Sequence, residues 1–174
     1  MIVAKIVSSF LLTSVIYALG IFILTFVTFL IYGSGGAACS LQVLNFLAPA
    51  DINLLQMYLY VLLAGYFMCL FMQGITLLLS AKMSSPFPVI ICTMVFFFVP
   101  SFLSYSRSSR TYNNILNLMP AKMAAAYIAL TKYEVFHIFG LKISYPVMLI
   151  LVALLVSVIT LPFAYKSFYK HQVA

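Results

Sequence analysis

Four stretches of this chain run free of charged residues for long enough to be read as membrane spans. They cover residues 6–32, 54–80, 89–105 and 145–165. A hydrocarbon core of roughly 30 Å takes about 20 apolar residues in a helix, so the first two cross with some tilt. Gly33-Ser34-Gly35-Gly36 closes the first span. The linker after it holds Pro49 and no Lys or Arg before Asp51, and Lys82, Ser84, Ser85, Pro86 and Pro88 form a short turn after the second span. The third span is shorter and carries Pro100, where a lost backbone hydrogen bond predicts a kink or a frayed end. Pro146 suits the first turn of the fourth. Residues 106–144, between the last two spans, are too polar to cross and too apolar for a free linker. The pattern predicts an open loop over Arg107 to Asn117, then a short helix from Ala121 to about Leu130 that Pro120 starts. That helix lies at the interface or dips into it. Val135 to Ile143, interrupted by Gly140, reads as a small turn of extended chain. The predicted fold is all-α: residues 1–174 form one polytopic membrane helix bundle with about four transmembrane helices and a short re-entrant or interfacial helix before the last.

Composition supports this reading. Of the 174 residues 66% are hydrophobic and 6% charged, with a mean hydropathy of +1.19, whereas a soluble domain carries about 25% charged residues. Nine basic and two acidic side chains do not cover the surface of a water-soluble globule of this length. The first span is also too long for the core of a signal peptide, which needs about 7–15 residues. The formal charge of +7 is spread one or two residues at a time along the gaps. That spread reads as contact with the lipid bilayer and argues against nucleic acid. An even number of spans puts both termini on one side. The linker without Lys or Arg belongs outside, so the expected placement is a multi-pass protein of the cell membrane with both termini cytoplasmic. Tyr32, Tyr58, Tyr60, Tyr105 and Tyr145 then mark the outer interface, and Tyr165 and Tyr169 the inner one.

The spans contain no His, Asp, Glu, Lys or Arg. Acid–base, nucleophilic and metal chemistry at bundle depth are left without residues, as is coupling to an ion gradient. No catalytic residue, metal or cofactor is assigned. Glu134 and His137 form a surface pair without further ligands, and Cys39, Cys69 and Cys92 lack the spacing of a zinc or redox motif. The spans do carry small and weakly polar side chains aligned at helical spacing. Ser14, Ala18, Thr25 and Thr28 share one stripe of the first span; Tyr66, Cys69, Gln73, Thr76 and Ser80 share one of the second; Ala153, Ser157, Thr160 and Ala164 share one of the last. Such stripes let helices approach and bond across a seam. Two readings remain for Ser14, Thr25, Gln73, Thr76, Ser157 and Thr160: interhelical packing, or the polar lining of a substrate path.

Four segments carry a resemblance: Ala4-Lys5-Ile6-Val7 opening the first span, Leu77-Leu78-Leu79-Ser80 closing the second, Leu116-Asn117-Leu118-Met119-Pro120, and the tail from Leu161 to Val173. In their order and spacing they resemble the C-terminal half of type-2, exporter-like ABC transporter permeases. The resemblance implies the permease portion of an ATP-driven exporter that works with cytoplasmic ATPase subunits and with a second permease copy or a related permease. It also implies a re-entrant extracytoplasmic helix pair before the last span, matching the segment after Pro120, and an ATPase-facing loop at Lys82, Met83, Ser84 and Ser85. Such permeases carry two further spans and a cytoplasmic coupling helix ahead of the position of Ala4, so the sequence is expected to be a fragment or split gene product. No Walker-type Gly-Lys-Ser/Thr loop occurs, so the chain is not itself an ATP-hydrolysing enzyme. The alternative class is a non-transporting four-helix membrane protein, such as an immunity or assembly factor acting by helix contact.

Overall fold

A computed structural model describes residues 2–43, 45–46, 48, 51–83, 85–132, 134–138 and 140–173. Among the described residues three helices are long and apolar enough to cross a membrane, which marks the chain as membrane-embedded: α1 (Ile2–Tyr32), α2 (Leu54–Ser80) and α7 (Tyr145–Val173). Between α2 and α7 come α3 (Pro86–Phe102), α4 (Arg110–Asn117), α5 (Pro120–Met123), α6 (Tyr127–Thr131) and the strands β1 (Val135–Ile138) and β2 (Leu141–Ser144).

The boundaries of α2 fall where the charge-free run predicts, and its start is fixed locally. The Asn53 backbone N–H donates to Gln56 Oε1 at 3.0 Å, one half of a capping box. The linker before it folds back on itself, with Leu41 N–H on the Ile52 carbonyl (2.8 Å) and Leu54 N–H on the Cys39 carbonyl (2.9 Å); the predicted linker residue Pro49 lies outside the described residues. Helix α3 starts three residues earlier than the sequence pattern predicts, because Pro86 and Pro88 occupy its first turn, where a missing N–H costs nothing. It ends at Phe102, two residues after Pro100. Its 17 residues extend about 25 Å at 1.5 Å per residue, which is shorter than the other three apolar helices. Helix α7 runs two turns past the predicted end at Tyr165 and contains the exposed Pro162.

The segment expected to be open loop between Arg107 and Asn117 is instead largely the helix α4. Ser109 caps it, its Oγ accepting from the Tyr112 N–H at 3.3 Å, which satisfies one of the orphan donors of a helix start. The single short helix expected over Ala121 to Leu130 is broken into α5 and α6, joined through Ala124, Ala125 and Ala126. After them β1 and β2 pair antiparallel with His137 opposite Lys142 and Ile138 opposite Leu141. Gly140 at φ +81° supplies the left-handed conformation that a tight hairpin turn requires.

Helix α2 is the centre of the bundle and α7 packs along it. Met123, Ala126 and Ala129 of the α5–α6 segment are almost wholly buried, in one cluster with Ala64 and Phe71 of α2 and Leu149 and Ala153 of α7. Ala64 lies about 15 Å along α2 from Leu54, so the short helices dip into the bundle. Tyr145 belongs to the same cluster at 2% exposure. Its hydroxyl donates to the Asn117 carbonyl at 3.1 Å, and Tyr60 donates to the Pro146 carbonyl at 3.1 Å. These two tyrosines therefore lock α2, α4 and α7 together at one end, a use of Tyr different from the exposed interfacial belt expected of them.

Candidate functional site

Most of the stripe residues assemble into two seams of different construction, whereas Ala18, Thr28 and Ser80 are exposed. On α1 the less exposed positions Ile6, Ser9, Phe10, Thr13, Ser14, Tyr17, Ile21 and Thr25 recur every three or four residues and face α2. Side-chain hydrogen bonds cross this seam. Ser14 Oγ meets Tyr66 Oη at 2.9 Å, Gln73 Nε2 donates to Ser9 Oγ at 2.6 Å, Tyr17 donates to the Leu62 carbonyl at 2.6 Å, and Thr25 pairs with Tyr58. Thr28 and Thr76 instead bond back to the carbonyls of Leu24 (2.7 Å) and Met72 (2.8 Å) in their own helices. Gln73 Oε1 is buried with no hydrogen-bond partner. Sequence spacing alone missed Ser9, Tyr17 and Tyr58 as partners, because which hydroxyls meet depends on how far one helix is shifted along the other.

The α2–α7 seam is built by small residues. Ala153, Ser157, Thr160 and Ala164 are all buried, and the two hydroxyls donate within α7, to the carbonyls of Ala153 (2.7 Å) and Ser157 (3.0 Å). Opposite them Gly74 leaves no room for a side chain, since a Cβ there would collide with Thr160 Oγ1. At the end of this seam Ser167 donates to the Ala81 carbonyl at 3.3 Å, joining the tail of α7 to the turn after α2. In that turn Lys82 and Ser85 are exposed and Met83 is half-buried; Ser84 lies outside the described residues. Lys82, Lys166 and Ser167 share a cleft there with Leu78 and Phe163.

At the opposite end the polar residues of the chain converge on Asn117, 3% exposed. Its Oδ1 accepts from Tyr105 at 2.7 Å and its Nδ2 donates to Glu134 Oε2 at 2.5 Å. One turn back, Asn113 braces the entry to α4, accepting from the Ser106 N–H (2.8 Å) and donating to the Ser106 carbonyl (2.7 Å). The ammonium groups of Lys122 and Lys132 stand 5.3 and 5.1 Å from the centre of the Tyr105 ring, within cation–π range. Arg110, Asn113, Asn114 and Asn117 follow the i, i+3, i+4, i+7 spacing of a single helix face. That spacing was the available signal for α4. Glu134 and His137 flank the first residues of β1 rather than sharing a helix face. Among the described residues no three His, Cys, Asp or Glu side chains come together to hold a metal ion.

No protein-family model matches the chain, and no curated protein or solved structure matches it. The functional reading rests on the seams, the buried short helices and the polar end of the bundle.

Proposed function

We propose that this chain is the membrane-spanning permease portion of an ATP-driven exporter, drawing its energy from separate cytoplasmic ATPase subunits and working against a second permease copy or a related permease. The observation that carries the reading is the broken helix pair α5–α6, which precedes the β1–β2 hairpin and the last long helix and is buried in one cluster with residues of α2 and α7. A helix pair that enters the bundle and returns is the element the family resemblance calls for at that place in the chain. In this reading α3 is a fourth, short span and both termini are cytoplasmic. The turn holding Lys82, Met83, Ser84 and Ser85 and the tail after Tyr165 face the ATPase, and α4 to β2 lie outside.

Two experiments test this. Cys39 is exposed in the α1–α2 linker while Cys69 and Cys92 lie part-buried in α2 and α3. An impermeant maleimide added to intact cells is expected to label Cys39 alone; labelling only after the membrane is opened reverses the orientation. For the energy source, the chain alone in liposomes is expected to show neither ATP hydrolysis nor transport. The tagged chain, isolated in mild detergent from the cells that produce it, is expected to bring with it a subunit bearing a nucleotide-binding loop and vanadate-sensitive hydrolysis. Uptake by the chain alone, driven by a pH gradient, would overturn the exporter reading. A preparation without any such hydrolysis would favour the non-transporting class.

A further inference from the structure

The end of the bundle formed by α4 and the β-hairpin contains an open cleft of about 430 Å³. One wall is the polar face of α4, with Arg110 and Asn114 one turn apart; the other is the hairpin, where His137 and Lys142 are cross-strand partners. Both walls are fixed in place by hydrogen bonds that leave these four side chains facing the opening. Asn113 is tied to Ser106 and Asn117 to Tyr105 and Glu134, and Arg110 keeps only a long contact, 3.4 Å, to the Val135 carbonyl. Among the described residues Arg110 and Lys142 form no ion pair with Glu134, although the three line one cleft. Lys122 and Lys132 stand nearby over Tyr105. The surroundings therefore add positive potential around an opening with a single carboxylate, and a concave site focuses that field.

We propose that this cleft binds a phosphate group, with the Arg110 guanidinium as the two-pronged donor, Lys142 as a point charge and the Asn114 amide as a neutral donor. A guanidinium fork matches two phosphate oxygens at once, and Lys adds charge without fixed geometry. The group can arrive as a lipid headgroup, since the cleft sits at the end of the apolar helices, or as free phosphate. Glu134 works against it from the edge of the cleft. The inference is independent of the exporter reading, because it concerns binding alone.

The test uses the full chain purified in a phosphorus-free detergent. One arm follows line broadening of inorganic phosphate in ³¹P NMR; the other counts adducts by native mass spectrometry with phosphatidylglycerol against phosphatidylcholine. Arg110→Gln with Lys142→Gln is expected to weaken binding by at least about tenfold in whichever arm shows it, and Glu134→Gln to strengthen it several-fold, with far-UV circular dichroism unchanged. Loss confined to the phosphate arm assigns free phosphate, and loss confined to the lipid arm assigns a headgroup. If the double variant does not fold, Glu134→Gln decides, because equal or weaker binding there overturns the proposal. Absence of binding in both arms, or binding untouched by the cation substitutions, overturns it as well.

Discussion

Helices α1 and α7 are near equals in length and apolar character, and both lie against α2, yet they are held in different ways. Along α7 the contact is close. Ala153 and Ala164 are fully covered, Gly74 receives Thr160, and the hydroxyls of Ser157 and Thr160 are satisfied inside their own helix. Along α1 almost every apolar side chain is open to the surroundings, and the helix is held by a line of hydroxyl and amide contacts at Ser9, Ser14, Tyr17 and Thr25. In lipid, apolar surface supplies no drive for helices to associate, because the tails are as apolar as Leu. Close backbone approach and hydrogen bonds remain: approach by small residues dominates along the α2–α7 seam, with Tyr60 and Ser167 bonding across its ends, and side-chain hydrogen bonds dominate along α1. The α2–α7 seam is therefore the more closely packed of the two, and α1 the more exposed helix.

The largest effect is expected where the α2–α7 seam is tightest. Gly74→Ala places a methyl group on Thr160 Oγ1, and rotating the hydroxyl away breaks its bond to the Ser157 carbonyl, 3.0 Å long. The expected loss is about 1–3 kcal/mol, read as an earlier unfolding midpoint in SDS titrations followed by circular dichroism. Adding Thr160→Ala removes the colliding atom and should return most of it. An unchanged midpoint for Gly74→Ala alone would mean that the α2–α7 seam is no closer than that of α1.

Much of the bundle is readable from residue order. Charge-free runs give α1, α2 and the start of α7 because a span needs continuous apolar length, and that property is local. The stripe of Ala153, Ser157, Thr160 and Ala164 marks the tight face for the same reason: small side chains at helical spacing leave room whichever neighbour fills it. Gly74 and Ser9 could not be read this way, since a glycine or serine becomes important only when a particular atom of another helix arrives opposite it. The polar end was misread for a different reason. Arg110 to Asn117 looked like loop because Asn and Thr are poor helix formers. Burial of Leu116 and Asn117 and the bonds from Tyr105 and Tyr145 override that weak preference, and those bonds come from residues distant in sequence.

The smallest effect, and the sharpest test of how α1 is held, lies at Ser9 and Gln73. From sequence alone Gln73→Leu is expected to weaken assembly by about 1–2 kcal/mol, as loss of an interhelical hydrogen bond would. The geometry changes that expectation. Gln73 makes one good bond, Nε2 to Ser9 Oγ at 2.6 Å, and its Oε1 is buried without a partner. Leucine deletes the bond and the unsatisfied oxygen together, and replacing a half-paired polar group by an apolar one of similar shape is close to neutral. The Ser9 hydroxyl left behind has an outlet, since a serine in a helix can donate to the carbonyl one turn back, as Ser14 does to Phe10 at 2.9 Å. Ser9→Ala lacks this compensation. It leaves the whole Gln73 amide unpaired in an apolar seam and should cost about 1 kcal/mol. The expected order is therefore that Ser9→Ala is worse than Gln73→Leu, which stays within about 0.5 kcal/mol of the parent, and that the double variant behaves like Gln73→Leu alone. The same SDS titration reads all three. Should Gln73→Leu prove the more damaging single change, the hydrogen bond outweighs the orphaned oxygen, and α1 is held more firmly than its exposed surface implies.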